Sequence, residues 1–268
     1  MSWEIEVYSP GPPITFDPAT VAWAAAVVAN GGTVSFGREI IVNNLIVGLK
    51  SDGIWTLLDR LWILAAENQT SGLVDLIANT LASNVSTSFT TDRGFTGNDG
   101  LTDWVDTTVK LNVGSGYTLN TCHVSAWSAT NNTQSGSNNF LCGCDDNANN
   151  TRIGNQTSSG ITGDTNDSTG GHGFAGTLQG HWLVNRTGAS LEDIYQNASV
   201  FASPNGTAGT LPSSKNVGIC ADNTFGSGPT FSTAQTVAMC GWGASLTGTQ
   251  VTNFYNRLRT YMTAVGVP

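Results

Sequence analysis

The chain has 268 residues, a net charge of -9, only 11% charged side chains and 32 glycines. Ten Lys and Arg cannot form the basic stripe that neutralises phosphates, which excludes nucleic acid and an anionic membrane surface as partners. The Gly, Asn, Thr and Ser that replace charge favour strands joined by tight turns after the first third of the chain.

The chain opens with MSWEIEVY, where Trp3, Ile5 and Val7 alternate with Glu4, Glu6 and Tyr8, the period of a half-buried strand. Pro10, Pro12 and Pro13 then cut it off. Residues 1–16 are therefore expected to be an extended arm that docks on a neighbouring subunit or assembly through Trp3, Ile5, Val7 and Tyr8, by strand addition, the alternative being an edge strand of the chain's own sandwich. The run VAWAAAVVA at residues 21–29 is too short to cross a bilayer and has no basic flank, so membrane insertion is not expected, nor is a secretory route.

Asp17 before Pro18 predicts a helix start, and Asn30-Gly31-Gly32 its end. A second helix is predicted from Ser35, with Ile41, Leu45 and Leu49 on one stripe. Helical spacing of Trp55, Leu58, Leu61, Trp62 and Ala65 extends the helical reading to about residue 66, and GLVDLIANTL adds a further turn or two. Residues 17–83 are thus read as a helical region whose tryptophans are core.

From Asn84 the pattern changes to short alternating or apolar runs, such as WVDTTVKLNV, HVSAWSA, HWLVNRT and TVAMCGWG, separated by Gly, Asn and Asp. The fold class that follows is mainly β, with an antiparallel β-sandwich over residues 84–245. The stretch from Cys144 to Gly176 is polar enough to predict long surface loops or edge hairpins. Val251, Phe254, Leu258, Met262 and Val265 mark a closing helix within 246–268, capped by Thr247 or Thr249. The five cysteines each sit in a short apolar run and are expected to be buried thiols rather than disulfides or a zinc site.

The ordered segments IVGLKSDGIWTLLDRLWILAAEN, TDRGFTGNDGLTDWVDT, HVSAWS, HWLVNRTGAS and GWGASLTGTQVTNFYNRLRTYMTAVG resemble a group of phage and prophage virion proteins. These carry a laminin-G-like, concanavalin-type β-sandwich in tail fibres, spikes and head decorations. The resemblance covers most of residues 18–268. It implies a virion location, other virion proteins and copies of the same chain as partners, and adhesion to host-surface glycan. The alternatives are a glycan-cleaving enzyme on the same sandwich and a non-viral carbohydrate-binding module.

Glycosidic cleavage needs two carboxylates about the scissile bond. No alternating acidic pair exists, and Glu192 and Asp193 are adjacent and so face opposite ways on a strand. No G-x-S-x-G elbow appears either, and the sequence reading is that the chain is not an enzyme. Asp145-Asp146-Asn147 and Asp164-Thr165-Asn166-Asp167 have the hard oxygens that calcium requires. They are read instead as turn formers, with no metal or other cofactor expected. Glycan contact is assigned to the polar loops, through Asn147, Asn149, Asn150, Asp164, Asp167 and His172; Phe174 is their one aromatic.

Overall fold

The computed structural model describes residues 15–98, 103–132, 139–147, 149–156, 160–167, 173–224, 228–230 and 232–268. Trp3, Ile5, Val7, Tyr8 and His172 lie outside the described residues.

Helix α1 (Pro18–Ala29) starts where the Asp17 carboxylate accepts from the Ala19 N–H at 2.8 Å, and α2 (Phe36–Ser51) where the Ser35 hydroxyl accepts from the Arg38 N–H at 3.3 Å. The helical reading then fails. After a short 3-10 turn at Trp55–Leu57, residues Leu58–Ile63 are strand β1. Leu58, Leu61 and Ile63 enter one core cluster and Trp62 the other. A segment buried on both faces satisfies either period, so spacing alone does not distinguish strand from helix. The short α3 (Gln69–Leu73) follows, with Asn68 and Ser71 forming a reciprocal cap.

The remaining elements in chain order are β2 (Ser83–Val85), β3 (Ser88–Thr90), β4 (Gly94–Thr96), β5 (Trp104–Lys110), β6 (Cys122–Ser128), β7 (Asn139–Asp145), β8 (Asn150–Gln156) and β9 (Gly160–Asp167). Then come β10 (Gly173–Phe174), β11 (Gly180–Gly188), β12 (Leu191–Gln196), β13 (Ser199–Ala202), β14 (Asn216–Ile219), β15 (Asp222–Thr224), β16 (Gly228–Thr230), β17 (Thr236–Gly243) and α4 (Gly248–Ala264). Thr247 caps α4 together with Gln250.

Two sheets result. The first runs β13-β12-β11-β6-β17, and β17 pairs beyond β6 with both β1 and β4, which carries β3. The second runs β10-β9-β8-β7-β14-β5-β2, with β15 parallel to β7 and β16 on β15. Alternation along β6 sends Cys122, Val124 and Ala126 into the cluster between the sheets and Trp127 into the cluster under the helices. α1, α2 and α4 therefore cover one face of the first sheet, and the second sheet covers the other. Val251, Phe254, Leu258 and Met262 are buried as the sequence predicts.

Of the two expectations for residues 144–176, the described residues form edge hairpins, with β7, β8, β9 and β10 paired in succession to the edge of the second sheet, and not long surface loops. β8 and β9 are mostly buried, and their polar side chains satisfy one another. Tyr117 Oη lies 2.8 Å from Thr151 Oγ1 and 3.2 Å from Asn166 Oδ1, and the Asn166 amide donates to the Thr118 and Leu119 carbonyls. Hydrogen bonding of this kind makes polar strands compatible with burial. All five cysteines are free and buried.

Candidate functional site

β7, β8 and β9 carry the polar sequence, and Arg152 organises it. Ile153 points into the core between the sheets, so Arg152 points away from it. Its Nε donates to Asp164 Oδ2 at 3.3 Å, its Nη1 to Asp222 Oδ2 at 3.4 Å, and its guanidinium lies 4.8 Å from the Phe140 ring centre. With the Asn150 amide turned to fit its neighbours, its oxygen accepts from Arg152 Nη2 at 3.1 Å and its nitrogen donates to Asp145 at 3.0 Å. Gly143 makes room for this cluster, since a Cβ there would stand 2.9 Å from Asp222 Oδ1. Burial pushes the Asp222 carboxyl up to about 7, against the pull of Arg152.

The loop residues assigned to glycan contact are thereby separated. Asn150 and Asp164 meet at Arg152, and Asp164 is fully buried. Asn149 is 3% exposed and donates to Thr210 Oγ1. Asp167 is buried opposite Asn150 in the β8–β9 pairing. Asn147 is exposed in the β7–β8 turn, at φ 72° with its N–H on Asp145 Oδ1. These residues hold the sheet together and do not gather around an open pocket. Among the described residues no three His, Cys, Asp or Glu side chains gather as a metal site.

An open cleft of about 250 Å³ lies at the other end of the same strands, lined by Asn131, Asn132, Asn155, Ile161, Gly176, Thr177, Leu178 and Gln235. Gln235, itself fully buried, sets its geometry. Gln235 Oε1 accepts from the Asn132 N–H at 3.0 Å and the Thr130 hydroxyl at 2.9 Å, and Nε2 donates to the Asn132 carbonyl at 2.7 Å. Asn132 Nδ2 in turn donates to the Ala234 carbonyl. Phe174 packs edge-on against Phe201 beside the cleft, with centroids 6.0 Å apart, and Phe201 packs on Trp182. Gly176 lets Phe201 and Ile161 approach, because a Cβ would come within 3.1 Å and 3.2 Å of them. The cleft draws on five separate stretches of chain, so no local motif announces it.

No protein-family model matches the chain, and neither does any curated protein. Solved structures do. The sialidase of Trypanosoma rangeli, in complex with a difluoro-KDN ligand, matches with a TM-score of 0.53 at 10% identity, over 84% of this chain and 40% of that one. Domain 4 of AbnA, an extracellular arabinanase of Geobacillus stearothermophilus in complex with arabinotriose, matches with a TM-score of 0.50 at 14% identity, over 74% of this chain and 98% of that domain. A mutant of HCR/D matches at 0.52 and 11% identity. The likeness is one of fold alone. This chain spans about 40% of the sialidase's length.

These matches correct the reading that the chain is not an enzyme. The fold occurs in sialidases, so the sandwich offers no ground against catalysis. The acid-pair argument also weakens, because Asp164 and Asp222, far apart in sequence, converge on Arg152.

Proposed function

We propose that this chain binds glycan in the amide-lined cleft and does so as part of a virion appendage, together with other virion proteins and copies of itself. The cleft is the observation that carries glycan binding. Amides and a threonine hydroxyl offer paired donors and acceptors, while Ile161, Leu178 and the neighbouring phenylalanines offer apolar surface for sugar C–H faces. The likeness to an arabinanase domain that holds arabinotriose supports the same reading. The virion half rests on the ordered motifs of the sequence. A glycan array with the parent protein and with Asn155→Ala and Thr177→Ala variants tests the first half: binding that the variants weaken supports it, and binding that they leave unchanged overturns it. Mass spectrometry of purified particles tests the second, which fails if the chain is absent from them.

A second reading, glycan cleavage, rests on the fold shared with a sialidase. Release of reducing ends from a polysaccharide by the purified chain would establish it; no release from any bound glycan removes it.

A further inference from the structure

We infer that the cleft takes uncharged sugars and rejects those that carry carboxylate, sulfate or phosphate; the inference rests on the glycan-binding reading above. Its ground is the placement of the lysines and arginines. The chain has ten Lys and Arg, every one lies among the described residues, and none lines the cleft. Arg38, Lys50, Arg60, Arg152, Arg186 and Arg257 are committed to ion pairs elsewhere. Arg93 donates to the Val265 carbonyl, and Arg259 lies over the Trp127 ring. Lys110 and Lys215 sit where β5 meets β14, beyond β7 from the cleft strands β8 and β9. Whatever other residues border the cleft, they bring no lysine or arginine to it.

The lining then decides between ligand classes. A sugar hydroxyl both donates and accepts, and so matches an amide at either end. A carboxylate or sulfate only accepts. It can use the amide nitrogens but faces repulsion from the amide oxygens, and its desolvation is left without a counter-charge. The Gln235 oxygen already accepts two bonds and its nitrogen is held by the Asn132 carbonyl, so this amide cannot turn to present donors only. The net charge of -9 adds a long-range repulsion against polyanionic chains.

The test titrates the full chain near neutral pH and at physiological salt with arabinotriose, maltotriose, cellotriose and lactose, and with sialyllactose and trigalacturonate as acidic probes. At least one neutral probe is expected to bind, and Asn155→Ala and Thr177→Ala should weaken it. The acidic probes should bind at least about tenfold more weakly. Asn131 is exposed, so Asn131→Lys should fold and should raise affinity for sialyllactose relative to the neutral probes. Acidic probes that bind as tightly as neutral ones, and are weakened by Asn155→Ala, would overturn the inference and leave the glycan-binding reading standing. An Asn131→Lys protein no better than the parent towards sialyllactose also counts against it. If no probe of either class binds, or if the cleft variants change nothing, both readings fall.

Discussion

Arg186 and Glu192 are fully buried between the sheets, joined at 2.8 Å. Arg186 also donates to the carbonyls of Thr165 and Gly206, and Glu192 accepts from the Thr165 N–H and hydroxyl. One guanidinium thus ties β9, β11, β12 and the segment after β13 into a unit. Removing the acid leaves a buried cation uncompensated, a loss of about 3–5 kcal/mol. Glu192→Gln, which keeps the shape, is expected to lower the urea midpoint accordingly. An Arg186→Met, Glu192→Leu double variant should recover most of it, because two apolar groups leave no buried charge. Spacing alone does not reveal Arg186 as the partner of Glu192, because the two meet through the register of a hairpin.

At the scale of elements, α4 is seated on two neutral histidines. His181 lies between Trp127, Phe254 and Tyr255, and His123 is edge-on to Phe254 with Nδ1 2.5 Å from the Ala244 carbonyl. Burial pushes His181 down to about 3 and His123 down to about 4, the Ala244 carbonyl and Asp59 acting against it at His123. Both pKa values are lowered by folding, so the unfolded chain binds more protons below about pH 6.5, and stability is lost as pH falls from there toward the folded values. Each histidine contributes a slope of about 1.4 kcal/mol per pH unit inside that window. His181→Phe keeps a ring of similar size in the stack and removes one titrating group. Its acid-unfolding midpoint, followed by tryptophan fluorescence, should move to lower pH than that of the parent. Asp222, whose carboxyl is pushed up, acts in the opposite direction, but equally in both proteins, so the difference between them isolates His181. An unchanged midpoint would show that the buried histidines do not govern the seat of α4.

For the whole molecule, the packed body begins earlier than the arm boundary read from sequence. Phe16 packs edge-on against Phe36 at 5.8 Å, and the Asp17 N–H donates to Asn43 Oδ1 at 2.8 Å. Phe16 therefore belongs with the helices. If residues 1–14 serve assembly through Trp3, Ile5, Val7 and Tyr8, their removal should leave the melting temperature nearly unchanged and reduce the mass measured by light scattering to that of a single chain. A truncated protein that melts much earlier, or that keeps its oligomeric mass, would refute the arm's role.

What the sequence by itself determined was local. Asp17 before Pro18, Ser35, and Thr247 three residues before Gln250 mark helix starts through side chains that satisfy nearby N–H groups, and alternating runs between Gly and Asn clusters mark a sandwich. The tertiary structure decided the rest. Residues 58–63 became a strand because β17 offered them a partner while both their faces found cores. The polar stretch after Cys144 became buried strand because Tyr117, Arg152 and Asp222, distant in sequence, satisfied its side chains. The cleft itself exists only where β8, β9 and the segments at 131–132, 176–178 and 235 meet, since convergence of distant residues follows from strand order and register, and neither is written in the spacing of neighbours.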